Sequence, residues 1–462
     1  MGQSLVLSSM RAHFDTVVLG GGIAGLMAAI FAARDTAKPS VLLVESSNRL
    51  GGAMAGSRCM DTDFDLGTHI PQETGIDRID SLYDEMFEQG VLQKFSSSVG
   101  DRGGSLVDGQ LFAESSYLDL LNLNPESART ATEHVASHMH DMDSRSVDSI
   151  RLARADEIST SWYGPATTAD WILPELSRLY GSNRDLSGFA LEISNLTRLR
   201  AADKPTWQAF SSSRWFRQRI AYPSFELPKE FHHERMSLYP RCGSSYSFVQ
   251  GFVKLCQQDG VQLSLNSRVL EVDMKNKEVR VLIEDDEIRV RYGKLISTLG
   301  PIETLKLVGE SSAFKIQRIN TRLVHHLLDS PIESDLCYIY ERSRTSQVFR
   351  ITNYSAFSGR ARDCRLTTEI VSPALIGHQS ALEMAIRSLK GLLPNGVRLL
   401  KSCVVDYVSG FPLPDLSLFK NAKLASDYFE QNRSHDVIVS GVGAGGTAYF
   451  QNEILQHLES HL

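Results

Sequence analysis

Three glycines, Gly20, Gly22 and Gly25, stand between an apolar run at residues 15–19 and an alanine-rich stretch at 26–33. Strand, GxGxxG turn and helix in that order form the fingerprint of a dinucleotide site. Gly20 permits the tight turn, Gly22 lets the backbone approach a pyrophosphate, and Gly25 lets helix and strand pack closely. The start of the helix offers free amide groups and a positive dipole end to the phosphates. A second apolar run, 41–44, ends on Glu45, 20 residues after Gly25, where a carboxylate accepts hydrogen bonds from an adenosine ribose. A lone glycine turn is weak evidence. Four agreeing elements are specific.

Beyond Glu45 the chain continues through Arg49, Gly51 and Gly52. This resembles the E-x3-R-x-G-G extension of the glutathione-reductase-type flavoproteins. The resemblance implies FAD, held non-covalently, with Arg49 and the glycine pair along its pyrophosphate and ribityl chain. Near the other end, residues 436–440 form a strand that runs into a glycine-rich loop containing Gly441 and Gly443, followed by a helix. A second crossing of this kind is expected where the chain returns to close on the flavin.

The chain is similar to the superfamily of amine oxidases, protoporphyrinogen oxidases and UDP-galactopyranose mutases, and most of its length resembles the mutases in order. Asp65, Gly67, Thr68 and His69 are similar to the short glycine–histidine stretch beside the flavin. Pro240 and Gly243 resemble the Pro-Lys-x-Gly segment, and Pro412 stands where a Tyr-Pro pair occurs. Thr197, Arg198 and Leu199 resemble the Thr-Arg-Leu whose arginine meets the substrate diphosphate; Arg350 and Ile351 resemble the element carrying the second diphosphate arginine. The implied chemistry is attack of reduced flavin on an anomeric carbon, sugar ring opening and reclosure, with no net redox change. The implied substrate is a nucleoside-diphosphate sugar, with NAD(P)H as a candidate external reductant. Two guanidinium forks converging on one diphosphate suit that role.

Departures support a second reading. Val442 replaces the arginine that reaches the flavin, Tyr449, Phe450 and Gln451 replace Tyr-Tyr-Asp, and Pro71 and Gln72 replace the extended histidine motif. The alternative is an oxidase or dehydrogenase of the amine-oxidase or protoporphyrinogen-oxidase type, acting on a small molecule. His69 then tunes the flavin, moves a proton or is structural. Tyr449 is a catalytic or substrate-binding candidate in both readings.

The elements that must position these residues follow from the rest of the chain. At 462 residues it is too long for one ordinary core, so two or three packed units are expected. Hydrophobic content of 42% with 22% charged residues excludes wholesale disorder. The predicted class is α/β: a Rossmann-type FAD-binding domain assembled from residues 13–75, 236–302 and 408–462. A mainly helical cap is expected over 76–235 and an antiparallel-sheet substrate region over 303–407. Strands are expected at 268–273, 278–284, 287–292 and, separately, 294–300. The polar section 125–160 reads as solvated loop and short helix, and its cluster from His138 to Asp143 lacks metal spacing. No metal is expected. Trp162, Trp171, Trp207 and Trp215 read as core or as cleft lining, core being the commoner role.

A net charge of −7 argues against nucleic acid, which attracts a positive field. Six scattered cysteines without CxxC suit neither zinc nor a redox pair. No apolar run approaches the roughly 18 residues of a membrane span, and the first residues lack a secretion signal. A cytoplasmic protein, possible as an oligomer, is expected.

Overall fold

The computed structural model describes residues 13–35, 39–95, 102–139, 147–182, 185–232, 235–310, 314, 316–358, 362–407, 411–432 and 436–462. Strand β1 (His13–Leu19) leads into helix α1 (Ile23–Ala33), which returns to β2 (Val41–Val44), parallel to β1. β2 is wholly apolar and buried, and β1 becomes so over Val17, Val18 and Leu19, as a strand covered on both faces must be. Strands β3 (Gln262–Ser264), β4 (Ser267–Asp273), β5 (Glu278–Ile283), β6 (Asp286–Ser297) and β7 (Val437–Val439) complete a seven-stranded sheet. The order is β3-β2-β1-β6-β5-β4, with β7 beside β6.

The expected break at residue 293 is absent. β6 runs for 12 residues, and its first part pairs antiparallel with β5 while its second part pairs parallel with β1. Gly293 makes this possible: a β-carbon there would lie 2.7 Å from the Asp15 carbonyl oxygen. Past β6, Gly300 turns at φ +90° and Pro301 opens helix α2 (Pro301–Leu307).

A second seven-stranded sheet has the order 399–406, 320–328, 365–372, 348–353, 338–341, 103–107, 110–112. The two strands at 103–112 come from the segment expected to be mainly helical. Residues 103–107 also pair in parallel with 338–341, so the sheet is not purely antiparallel. Strand 320–328 carries His325 and His326, whose side chains diverge to opposite faces. His325 bonds Ser57 and Thr367, and His326 bonds Ser402 and Thr368. The strand pairs at 320–328 and 399–406 went unread in the sequence because their polar residues are satisfied only by distant partners.

Helices pack against both sheets. Residues 125–137, expected in part as loop, form a 13-residue helix capped by Asn124 with Pro125 in its first turn. Trp162, Trp207 and Trp215 lie in the core of this helical region and Trp171 packs against it. Residues 140–143 of the histidine–aspartate cluster lie outside the described residues. Among the described residues no group of three His, Cys, Asp or Glu could hold a metal, and no helix is long and apolar enough to cross a membrane. The cysteines are free thiols.

Candidate functional site

The glycine loop after β1 is shaped by contacts that exclude side chains at some positions and leave space at another. Gly20 sits at φ +99°, and a β-carbon on Gly25 would lie 1.8 Å from the Gly20 carbonyl oxygen. Turn and helix are therefore in direct backbone contact. A β-carbon on Gly22 would meet nothing within 4 Å. That open cradle faces the start of α1, where Gly22 provides no side-chain cap for the free amides. Gly51, at φ +115°, donates its amide to the Gly21 carbonyl at 2.7 Å and brings the second glycine pair against the first.

Glu45 accepts the Gly21 amide at 2.7 Å on one carboxylate oxygen and the Ser47 amide at 2.8 Å on the other. It holds the loop while still lining the cavity, and a carboxylate oxygen can accept a further bond. Arg49 lies beside the loop rather than along the cavity. Its guanidinium stacks 3.6 Å over the Tyr246 ring, and its Nε is buried with no partner. The open cradle over Gly22 and the bare helix start fit a dinucleotide pyrophosphate.

A cavity of about 960 Å³ continues from these loops through the molecule. Thr298–Gly300 and Gly441 line it, and its apolar wall, here called the chamber, includes Tyr180, Ile193, Ile319, Tyr340, Phe349, Val371, Tyr407, Phe411 and Tyr449. Polar members of the wall are Thr68, His69, Glu192, Arg318 and Arg350. Gly441 belongs to the lining at φ +107°, and a β-carbon there would lie 2.5 Å from the Thr298 carbonyl oxygen. Gly443 instead packs against Ala422 and does not line the cavity.

Arg350 and Arg198 are not brought together. Arg350 forms a two-point ion pair with Glu369, at 2.8 and 3.0 Å, and the Glu369 side chain is 1% exposed. Arg198 is exposed, 5.9 Å from the Tyr117 ring centre, and lies outside the cavity. The expected grip of these two arginines on one diphosphate is thus not formed, because Arg198 lies on the outside of the helical region.

Glu369 also accepts the Thr68 amide at 3.1 Å, fastening the His69 loop to the second sheet. His69 places Nε2 3.0 Å from the Leu66 carbonyl oxygen. Burial holds its pKa below the ordinary histidine value, with Glu369 opposing and Arg350 adding to the effect, so the ring is neutral at pH 7. Tyr449 lines the chamber with its ring 4.4 Å from Phe189, and burial pushes its phenol pKa up. It is a neutral hydrogen-bonding group.

Sequence reasoning missed Arg318, Glu192 and Arg151. Arg151 is 2% exposed and binds Glu192 at 2.6 Å and Glu453 at 2.7 Å. It falls in a polar stretch, and its partners are 41 and 302 positions away, so no local pattern marks it.

Comparison with known proteins agrees with this geometry. Residues 15–158 match the family described as FAD dependent oxidoreductase. No curated protein matches by sequence. Among solved structures, reduced UDP-galactopyranose mutase superposes with a TM-score of 0.71 at 14% identity, covering 97% of this chain and 93% of that one. A protein assigned as a protoporphyrinogen oxidase from Exiguobacterium sp. 255-15 gives 0.62 at 14% identity, covering 98% of each chain. A CLA-producing fatty acid isomerase from P. acnes gives 0.59 at 13% identity, again covering 98% of each. At such identities these likenesses establish the fold. Residues 15–158 thus carry the FAD dependent oxidoreductase match, and the chain as a whole has the fold of these flavoprotein structures.

Proposed function

We propose that the protein is an FAD-dependent oxidoreductase that removes hydride from a small, largely apolar molecule. The carrying observation is the wall of the chamber: six tyrosine and phenylalanine rings, Tyr180, Tyr340, Phe349, Tyr407, Phe411 and Tyr449, with few groups that could replace the hydration of a highly charged substrate. Arg350 already spends its charge on Glu369. Bound FAD supplies a two-electron acceptor. The chain itself supplies the rest. Gly20, Gly22, Gly51 and Gly52 would give the pyrophosphate its close backbone approach, Glu45 and Arg49 would stand beside that loop, and Gly441 would leave room for the ring. The chamber excludes water and orients the substrate face-on to its aromatic walls, and neutral His69 and Tyr449 offer hydrogen bonds without burying a charge.

A second reading is a mutase-like reaction on a nucleotide-linked sugar through reduced flavin, with NAD(P)H as reductant. It is favoured by Arg318 and Arg350, which both line the chamber and could meet a diphosphate in place of the Arg198–Arg350 pair. The scattered free thiols suit a reducing compartment and support the reading of either activity as cytoplasmic.

Purified protein should be yellow and release FAD on heating. Under anaerobic conditions an amine or an oxidisable apolar compound should bleach the flavin, and UDP should leave the spectra of both redox states unchanged. Perturbation of the reduced flavin by UDP, lost as salt rises and absent in Arg350→Ala, would install the mutase reading instead.

A further inference from the structure

Of the three carboxylates among the described residues that line the cavity, Glu45, Glu192 and Glu303, Glu192 is the one paired with a buried arginine. Its neighbourhood is unusual. Arg151 donates Nε to Glu192 at 2.9 Å and one terminal nitrogen to it at 2.6 Å, while two terminal nitrogens reach Glu453 at 2.7 and 2.9 Å. Two carboxylates therefore share one guanidinium in a water-poor setting, so one negative charge is left without a counter-charge. Such a cluster favours holding one proton.

Glu453 is the better-solvated partner. Besides Arg151, it accepts the amides of Tyr449 and Phe450 at 2.9 and 3.2 Å, at the start of the helix Gln451–Glu459. Burial alone would raise its pKa, but these bonds outweigh burial and hold it below the usual carboxylate value. Glu192 has Arg151 alone. Burial, reinforced by the charge of Glu453 and opposed by Arg151, holds its pKa above the usual value. Arg151 and Glu453 are the charged groups acting on it; the phenols of Tyr180 and Tyr449 share its wall.

We propose that Glu192 is the group that exchanges a proton with the substrate in the chamber. This rests on the hydride-removal reading. A substrate C–H bond breaks and its electron pair leaves with the hydrogen to the flavin. The adjoining N–H or O–H bond breaks as its proton passes to the Glu192 carboxylate, and its electron pair forms the new C=N or C=O bond. Arg151 holds the carboxylate in place, and a raised pKa brings the base towards the working pH.

The test is infrared difference spectroscopy of the flavin-loaded protein across pH, reading the carbonyl stretch of protonated carboxyl groups. A titrating band should disappear in Glu192→Gln and persist in Glu453→Gln. Asp65 is the other candidate for such a band, so both variants are also read in an Asp65→Asn background. Glu192→Asp, which keeps a carboxyl group, should retain the band with a displaced midpoint and serves if the Gln variant does not fold. Loss of the band in Glu453→Gln instead, or no change in any Glu192 variant, overturns the proposal. With a reducing substrate, the fall in anaerobic flavin reduction towards acid pH should vanish in Glu192→Gln. A band removed with that pH profile intact would leave Glu192 a structural group. If no compound reduces the flavin while the band still titrates, the hydride-removal reading fails and the protonation assignment stands.

Discussion

A β-carbon on Gly22 meets open space, whereas one on Gly25 meets the Gly20 carbonyl oxygen at 1.8 Å, so two glycines of one motif do different work. Gly22→Val should fold with the melting temperature of the FAD-free parent and lose most of its FAD, because the side chain fills the pyrophosphate cradle. Gly25→Ala should lose stability first, by about 1–3 kcal/mol or more, since backbone must move. Thermal melts beside FAD content per chain separate the two; equal FAD in Gly22→Val and parent would place the phosphate elsewhere. The arginines divide similarly. Arg198→Ala removes an exposed side chain and should shift stability by no more than about 0.5 kcal/mol. Arg350→Ala strands Glu369, 1% exposed, and should cost about 3–5 kcal/mol in urea unfolding. Similar losses from both would mean that Arg198 has a structural partner in solution.

Elements join through residues that no local pattern reveals. The turn after β1, the acid ending β2 and the strand before Gly441 were legible because each is a short run whose own residues dictate its shape. Strand β6 was read in two pieces, since Gly293 breaks the apolar pattern; its reason is the backbone of β1, 278 positions away. Likewise the candidate arginine grip rested on local resemblance, while side-chain exposure depends on how the helices pack. Arg151 shows the cost of this blindness most clearly. It ties the helices 147–151 and 189–193 to Gln451–Glu459, through Glu192, Glu453 and the Thr447 carbonyl. Arg151→Met leaves two carboxylates facing each other in low dielectric and should destabilise by about 3–5 kcal/mol at neutral pH. The folded-state pKa values of both acids would then rise above their unfolded values, so the variant should recover stability as pH falls. A urea midpoint that tracks the parent at every pH would show that the tie carries no stability.

Across the whole molecule, the loop carrying Asp65 and the helix that begins at Ser245 join the second sheet through a chain of buried hydrogen bonds whose proton balance sets how the protein responds to acid. Asp65 accepts the Ser245 amide at 2.6 Å and the Tyr239 hydroxyl at 2.8 Å, and its own amide donates to Tyr354. Tyr354 continues to Thr367, which bonds His325. Burial pushes the Asp65 carboxyl up to about 6, and burial pushes His325 and His326 down to about 3. The signs oppose. Between roughly pH 4 and 6 the folded chain holds the Asp65 proton more tightly than the unfolded chain, so this group contributes stability on the acid side that is lost as pH rises. Between about pH 3 and 6.5 the unfolded chain instead binds protons on both histidines that the folded chain refuses, so their contribution is lost as pH falls. Two histidines, each on the order of 5 kcal/mol, outweigh one aspartate on the order of 3 kcal/mol, and stability should fall on acidification. The slope can be taken apart one group at a time. His326→Gln removes one histidine contribution and should flatten the acid limb of urea-midpoint against pH; Asp65→Asn removes the opposing contribution and should steepen it. Two variants with the same slope as the parent would mean that these groups do not titrate in the folded protein as their burial demands, and a flatter limb in Asp65→Asn would reverse the sign assigned to the carboxyl.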